Sequence, residues 1–420
     1  MRILYFHQFF ATRQRSHPTR SYEFARRFVE KGHEVTLVTR DVRHLEAGRE
    51  DIPRSAGLWA REEVDGIDVL YLRAPYSNYM GKAARGLSFA AFTAEACLAG
   101  RLLPRPDVVL SEAQPLTIGI PGWLSARLRG APFVFEICDL WPYVLVEVGA
   151  LRGSLLINGA TWLEESLYDV AETVVVCSEA SRHDLLARGI APDKVELIPN
   201  ASDCDLFRPD NVDEGWRTTH GLEGRFVALY FGAMGPVNGL DQLVEAAAVL
   251  RAAAASDPDS PAAHVAIVCI GDGNQRPQLE QTVAEMGLDN IFLLPSLPKA
   301  ELAGVVGAAD VTLTVFAPFD ALQTNSPDKF FDSLAAGRPV VCTLGGWWRR
   351  LVEENRCGAY VPGGDPAALA ATLAALAAEP QLVERMGRNA RALAEREFDR
   401  DLLADRLLSI LERAVAEAHG

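Results

Sequence analysis

Short apolar runs rich in β-branched residues alternate along the chain with longer amphipathic stretches. This alternation is typical of parallel sheets whose strands are joined by covering helices. A first series of runs predicts seven strands, at residues 2–7, 34–39, 69–72, 108–111, 133–138, 173–177 and 195–198. A second series predicts six more, at residues 226–231, 264–270, 291–294, 311–315, 339–343 and 359–361.

The amphipathic stretches predict helices, among them 20–31, 240–255, 276–286, 328–336 and 366–378. A segment rich in Pro, Asn and Asp at 199–213 separates the two series. We therefore predict an α/β protein of two Rossmann-like, doubly wound domains, at residues 1–205 and 206–399, followed by a last helix at 400–420. Ligands of such sheets bind where the strands end, so the expected site is the cleft between the domains.

The charge composition limits the kinds of molecule that this chain is expected to bind. The 420 residues carry a net charge of −15; residues 1–200 hold 23 basic and 25 acidic side chains, and residues 201–420 hold 18 and 31. Nucleic acid is disfavoured because binding phosphate backbones requires a basic surface. Residues 1–100, with 15 basic and 12 acidic side chains, leave a weak peripheral contact with a membrane open. No uncharged apolar stretch is long enough to predict a membrane-spanning helix.

Seven cysteines without a C-x-x-C pair indicate free thiols in a reducing cytoplasm, not a zinc site or a disulfide framework. Asp203-Cys204-Asp205 resembles the D-x-D motif of metal-dependent sugar transferases. It lies in the linker, where a turn is the favoured interpretation, so no metal is predicted. The first loop lacks G-x-G-x-x-G, which disfavours a dinucleotide cofactor.

The segment TNSPDKFFDSLAAGRPVV carries the sharpest candidate site. Asn325 or Ser326 is predicted to cap a helix whose first position is Pro327. The backbone amides of Asp328 and Lys329 would then lie unpaired at a positive helix end, where a diphosphate could bind. The alternative is an ordinary capped helix without a ligand.

One helical turn beyond this start, Asp332 is placed to accept hydrogen bonds from ribose hydroxyls. Two glycine-rich loops, FGAMGPVNGL and CIGDGNQ, follow predicted strands and would let backbone amides approach a nucleotide. A flexible connection or a tight turn explains either loop as well. The predicted donor contacts in these loops are Gly232, Gly235, Asn238, Gly271 and Asp272.

Asp139 follows a buried strand in FEICDLWPYV, and Trp141 lies in the stiff turn after it. A carboxylate there would face the cleft and orient or deprotonate an acceptor hydroxyl, although Asp139 could instead cap the next helix. The first loop is basic and polar. It could bind a phosphate or a sugar, or it could be a charged loop exposed to solvent. The predicted acceptor contacts are His7, Arg13, Arg20, Trp141 and Tyr143, and the loop also contains Arg15 and His17.

These motifs resemble a known family from end to end. YFHQFF, TRSYEFARRFVEKGHEVTLVT, DLWP, VELIPNASDCDLF and NSPDKFFDSLAAGRPVV are similar to the retaining GT-B enzymes of glycosyltransferase family four. The nearest resemblance is to the bacterial O-antigen or capsule subgroup. It implies a last helix that crosses back onto the first domain, a UDP-sugar or other NDP-sugar bound mainly by the second domain, and transfer with retention and without a metal.

Carried over by position, Asp139 falls where many members of the family have a histidine, and Asp332 falls at the second glutamate of a paired motif. Thr324 replaces the first glutamate, and Asn238 replaces the usual lysine of the diphosphate site. These departures put more weight on Lys329, which we expect to stabilise the leaving diphosphate while Asp139 assists the acceptor. The alternatives are a UDP-sugar epimerase and a non-catalytic subunit that binds sugar nucleotides.

Overall fold

The computed structural model describes residues 1–14, 19–41, 59–74 and 80–419, without the side chain of Lys82. Its first sheet has eight strands in the order β3-β4-β2-β1-β5-β6-β7-β8. All neighbours are parallel except the edge pair of β3 and β4. The strands are β1 (Arg2–Phe6), β2 (Glu34–Arg40), β3 (Trp59–Val64), β4 (Ile67–Leu72), β5 (Val108–Glu112), β6 (Phe133–Ile137), β7 (Thr173–Val176) and β8 (Val195–Leu197).

The second sheet has six parallel strands in the order β11-β10-β9-β12-β13-β14. In both sheets the order reverses beside the first strand, as in doubly wound folds. The strands are β9 (Phe226–Phe231), β10 (Val265–Ile270), β11 (Ile291–Leu294), β12 (Val311–Thr314), β13 (Val340–Cys342) and β14 (Gly358–Tyr360).

Helices cover both faces of each sheet. Those of the first domain are α1 (Arg20–Glu30), α2 (Lys82–Leu102), α3 (Gly119–Arg129), α4 (Tyr143–Glu147), α5 (Ser154–Val170) and α6 (Glu179–Ala187). Those that follow are α7 (Glu214–Thr219), α8 (Asp241–Ser256), α9 (Arg276–Met286), α10 (Lys299–Ala308), α11 (Asp328–Ala335), α12 (Gly346–Glu354), α13 (Pro366–Ala377), α14 (Pro380–Leu393) and α15 (Arg400–His419).

The predicted fold class is confirmed, and all thirteen predicted strands are present within about two residues of their predicted ends. The sequence prediction missed β3. Its residues, WAREEV, are half-buried or exposed, because β3 is the antiparallel edge strand and, within the described part of the chain, has a neighbour on one side only. An edge strand of this kind lacks the continuous apolar run that marked the buried strands.

The last helix returns to the first domain, as the family resemblance implies. Leu403, Leu407 and Leu411 of α15 are fully buried in the same core as residues of β1 and α1. The crossing is fixed where the backbone amide of Ser202 donates to Phe398 and the amide of Arg400 donates back to Ser202. Among the described helices none is by itself long and apolar enough to cross a membrane; α13 together with the bent continuation Pro380–Phe398 meets those criteria by length and composition.

Candidate functional site

The carboxyl ends of the two sheets meet around the segment that precedes α11. The hydroxyls of Ser178 and Ser181, which follow β7, donate to the carbonyl oxygen of Thr324 over 2.7 and 3.3 Å. The backbone amide of Asn200, which follows β8, donates to the hydroxyl oxygen of Ser326 over 3.1 Å. The start of α11 is therefore held at the junction between the two domains.

The predicted helix cap is wrong. Helix α11 begins at Asp328, its N-cap residue is Pro327, and no side chain that the structure describes accepts a hydrogen bond at the cap. The hydroxyl of Ser326 accepts instead from the backbone amide of Asn200, and the side-chain amide of Asn200 donates to the carbonyl of Ser326. The partner of Ser326 lies 126 positions away, so local sequence could not reveal it.

The missing cap leaves the helix start open. The amide of Phe330 turns back to the carbonyl of Pro327, whereas the amides of Asp328 and Lys329 have no acceptor among the described residues. Such amides form the positive end of a helix and are a ready site for an anion. One carboxylate oxygen of Asp328 is buried without a partner in the described part of the chain, which places a negative group at the same junction.

The ammonium of Lys329 points back toward the end of β9. Its Nζ donates to the hydroxyl of Tyr230 over 2.9 Å and to Oδ1 of Asn238 over 3.4 Å, and it lies 4.1 Å from the centre of the Tyr230 ring. Burial lowers the pKa of Lys329 to about 7. No carboxylate of the described residues pairs with this ammonium, so its charge is available to an anionic ligand.

The glycine loops surround this lysine. A Cβ at Gly232 would come within 3.3 Å of the Lys329 side chain, so the absence of a side chain there makes room for the ammonium. A Cβ at Gly271 would lie 1.9 Å from the carbonyl oxygen of Gly232, which only glycine avoids. The structure thus brings Gly232, Asn238 and Lys329 together. Gly235 lies beside Asn238, while Asp272 is exposed and bonds to its own loop.

Asp139 lies at the carboxyl end of β6, on the first domain's side of the junction. The side-chain amide of Gln114 donates to its Oδ2 over 2.7 Å, and burial, opposed by that hydrogen bond, raises the pKa of Asp139 to about 6. Asp139 does not cap the next helix, because α4 begins at Tyr143 with Pro142 as its N-cap. Trp141 is half-buried against apolar residues of the first domain, and Tyr143 is exposed on α4.

Sequence reasoning missed Glu112, the last residue of β5. Its carboxylate lies 3.4 Å from Nε2 of His7 and accepts from the hydroxyl of Tyr5 over 3.2 Å. Burial raises the pKa of Glu112 to about 7, and the charge of Asp328 across the junction adds to this increase. The signal was present in LSEAQP: a carboxylate at the end of a buried strand, the same criterion that selected Asp139.

The first-loop residues have internal partners. All five N–H groups of Arg20 donate hydrogen bonds within the chain, to Glu136, Asn200 and the carbonyls of Pro199 and Ile198. Arg20 therefore has no free N–H group with which to bind a sugar-accepting substrate. A guanidinium buried this deeply requires such partners. The acceptor contact expected of Arg20 is therefore replaced by an internal role.

The remaining first-loop residues are also held within the domain. Arg13 pairs with Glu23 and Asp203. His7 bonds to Ser21, and burial lowers the pKa of its imidazole to about 4, which keeps it neutral near pH 7. Arg15 and His17 lie outside the described residues.

Asp332 is buried at the interface between the domains. Its Oδ1 accepts from the hydroxyl of Ser202 over 2.8 Å, and its Oδ2 lies 3.2 Å from Nζ of Lys299. Both oxygens thus have partners within the chain, and the side chain is almost inaccessible to a ribose. The structure gives Asp332 the role of joining the two domains in place of the predicted ribose contact.

Comparisons with known proteins agree with this architecture. The profile of the "Glycosyl transferase 4-like domain" matches residues 18–201, and that of the "Glycosyl transferases group 1" matches residues 225–379. The first match covers the first sheet from β2 to β8, and the second covers the whole of the second sheet. The chain belongs to glycosyltransferase family four. It is an enzyme of the transferase class, and the predicted family is confirmed; the O-antigen or capsule subgroup stays a prediction.

Named relatives of this glycosyltransferase are D-inositol 3-phosphate glycosyltransferases. The protein of Thermomonospora curvata is 27% identical over 409 residues, which cover 92% of this chain and 88% of the relative. That of Catenulispora acidiphila is 28% identical over 415 residues, with 95% and 90% covered.

Solved structures share the fold of this glycosyltransferase. Sucrose-phosphate synthase from Thermosynechococcus elongatus has a TM-score of 0.74 at 16% identity and covers 99% of both chains. Anabaena HepE, solved in complex with UDP-glucose, has a TM-score of 0.71 at 17% identity and covers 98% of this chain and 100% of its own.

Proposed function

We propose that this glycosyltransferase moves a sugar with retention of configuration from a UDP-sugar to a saccharide, lipid-linked or small-molecule acceptor. The observation that carries the proposal is the ammonium of Lys329, which has no carboxylate partner among the described residues and lies beside the open start of α11. Anabaena HepE has the same fold and was solved with UDP-glucose, which supports a uridine nucleotide as the donor.

The donor would bind against the second domain. Its diphosphate would accept from the amides of Asp328 and Lys329 and pair with the Lys329 ammonium, with Gly232, Gly235 and Asn238 around it. As the glycosidic bond breaks, negative charge grows on the leaving diphosphate. An ammonium held close to that charge in a buried site stabilises the transition state more than it would in water.

The acceptor would bind against the first domain, near Asp139, Trp141 and the exposed Tyr143. Asp139 and Glu112 have pKa values raised into the range in which a carboxylate can hold a proton reversibly near pH 7. Asp139 would orient the hydroxyl of the sugar acceptor or accept a proton from it. Glu112 would act on the site through its contacts with His7 and Tyr5. For retention, the hydroxyl attacks from the face that the phosphate leaves, and the departing phosphate oxygen can take its proton.

We also propose that the reaction needs no metal ion and takes place in the cytoplasm, with weak contact at the inner face of the membrane left open. The D-x-D segment supports the first point. Asp203 is buried among the guanidinium groups of Arg13, Arg27 and Arg400, which already neutralise its carboxylate and hold its pKa well below its usual range. Its backbone carbonyl accepts from Leu206 and Phe207, as a turn requires.

A thermal-shift screen across nucleotide sugars tests the donor, because a ligand that binds the folded state raises the unfolding temperature. We expect stabilisation by UDP and a UDP-sugar. The Lys329→Ala variant should be stabilised much less at the same ligand concentration, whereas the control Lys194→Ala should be stabilised like the wild type because Lys194 lies on the surface of the other domain. If no sugar nucleotide stabilises the wild-type protein, the proposal fails.

A second experiment separates the transferase from its alternatives. Incubation with a UDP-sugar alone would convert it to an isomer if the protein were an epimerase. A transferase needs an acceptor and releases UDP together with a glycosylated product, whose anomeric configuration is then read by NMR. Binding of UDP-sugars without turnover on any acceptor of a broad panel would favour the non-catalytic subunit.

A further inference from the structure

Two thiols meet at the carboxyl edge of the first sheet, directly beside the candidate site. Cys138 follows β6 and Cys177 follows β7, and these neighbouring parallel strands pair up to Ile137 and Val176. The amide of Cys177 donates to the carbonyl of Ile137 over 3.2 Å, so the pairing continues one residue further. This register places the two Sγ atoms 2.8 Å apart.

We propose that Cys138 and Cys177 are an oxidation site, at which a two-electron oxidant such as hydrogen peroxide joins the two sulfur atoms in a reversible disulfide. A disulfide bond is about 2.05 Å long, so the sulfurs need to approach by less than about 1 Å. All seven cysteines are described and reduced, and among them this is the pair with a direct contact between sulfur atoms.

The surroundings supply the groups that the reaction needs. The Cys138 thiol lies 3.8 Å from Oε1 of Glu112, which can accept its proton, and Arg20 is close enough for its positive charge to interact with both thiols. The contact with Cys177 and burial raise the pKa of Cys138, so the thiolate forms only with such help.

The chemistry balances in two steps. The thiolate of Cys138 attacks one oxygen of the peroxide, the O–O bond breaks, and a sulfenic acid and one water form. The sulfur of Cys177 then attacks the sulfenic sulfur, the S–O bond breaks, and a second water leaves with the thiol proton. Overall, two thiols give up two electrons and two protons to one peroxide. A dithiol reductant reverses the disulfide by exchange.

The disulfide would act on the junction between the domains. The residue after Cys138 is Asp139, and the residue after Cys177 is Ser178, whose hydroxyl holds the carbonyl of Thr324. Both loops must shift when the sulfurs draw together. We therefore expect the oxidised protein to transfer sugar several-fold more slowly and to recover on reduction, a consequence that rests on the proposed function, whereas formation of the bond does not.

The test is peptide mapping by mass spectrometry of the full-length protein under non-reducing conditions after a hydrogen peroxide titration. We expect a cross-linked peptide pair containing Cys138 and Cys177, with the mass of the protein lowered by about 2 Da and restored by dithiothreitol. Cys177→Ser should abolish the pair and let Cys138 oxidise further, to sulfinic or sulfonic acid. The matched control Cys97→Ser, on α2 and away from the pair, should still form it.

The half-buried Cys97 serves as an internal reference for oxidation. If Cys97 is oxidised completely while Cys138 and Cys177 remain separate thiols, or if cross-links join other cysteines instead, the proposal is overturned. The wild-type map decides this even if the serine variant does not fold. Loss of activity on peroxide treatment without the cross-link would count against it equally.

Discussion

Lys329 should make donor binding depend on pH in a way that can be worked out from its surroundings. Burial lowers the pKa of its ammonium from 10.5 to about 7 in the ligand-free protein. A diphosphate placed against the ammonium favours the charged form and raises this pKa again. Binding above about pH 7 therefore requires the protein to take up a proton, whereas binding below pH 7 finds the lysine already charged.

The magnitude follows from the linkage. Above about pH 7 the affinity for a UDP-sugar should fall by up to tenfold per pH unit, which is about 1.4 kcal/mol per unit, until the pKa of the complex is reached. A UDP-sugar is the better probe than UDP, because its diphosphate is esterified at both ends and has no proton that titrates in this range. The effect of Lys329 on folding stability has the opposite sign. Above about pH 7 this lysine is more protonated in the unfolded chain than in the folded one, so the free energy of unfolding of the ligand-free protein should rise with pH there.

Isothermal titration calorimetry at about pH 8, in buffers of different ionisation enthalpy, measures the proton uptake directly. We expect uptake of close to one proton per bound UDP-sugar, and none for Lys329→Met, which keeps an apolar side chain of similar length. An affinity that stays flat from about pH 6.5 to 8.5 in the wild-type protein, or equal proton uptake in the variant, would refute the role given to this ammonium.

Three further predictions concern the rest of the site. Asp139→Asn should lower turnover by tenfold or more, about 1.4 kcal/mol at the barrier. In the wild-type enzyme kcat/KM should fall as the pH drops below about 6, because Asp139 becomes protonated. Unchanged turnover in the variant would remove Asp139 from the mechanism. Gly271→Ala should destabilise the protein by about 1–3 kcal/mol and weaken UDP binding, since the new Cβ would meet the carbonyl of Gly232. Denaturant unfolding measures the change in stability, and the control is Gly86→Ala, whose Cβ would have no described atom within 4 Å. Exhaustive treatment with EDTA should leave activity unchanged, and recovery only on adding a divalent cation would contradict the metal-free proposal.

Part of the candidate site could be predicted because its residues follow buried strands. Asp139 and Asn238 were found in this way, and Lys329 was found as the charge at a helix start. Glu112 satisfied the same criterion and was overlooked. The cap at Ser326 and the ribose contact of Asp332 were inferred from local helix patterns. Instead Ser326 bonds to Asn200 and Asp332 bonds to Ser202, both in the segment that leaves the first domain.

The sequence by itself determined the two sheets and nearly all their strands, because apolar periodicity and the polar residues at strand ends are local properties of the chain. The return of the last helix onto the first domain was implied by the family resemblance and not by this periodicity. The tertiary structure alone decided which polar groups remain free for a ligand. Arg20 and Asp332 look like ligand contacts in the sequence. In the structure Arg20 bonds to partners more than 100 positions away, and Asp332 bonds to Ser202 and Lys299. The ammonium of Lys329, by contrast, has no carboxylate beside it among the described residues. A buried charge must find a partner, and only the folded arrangement of both domains shows whether the chain provides that partner or leaves it to a ligand.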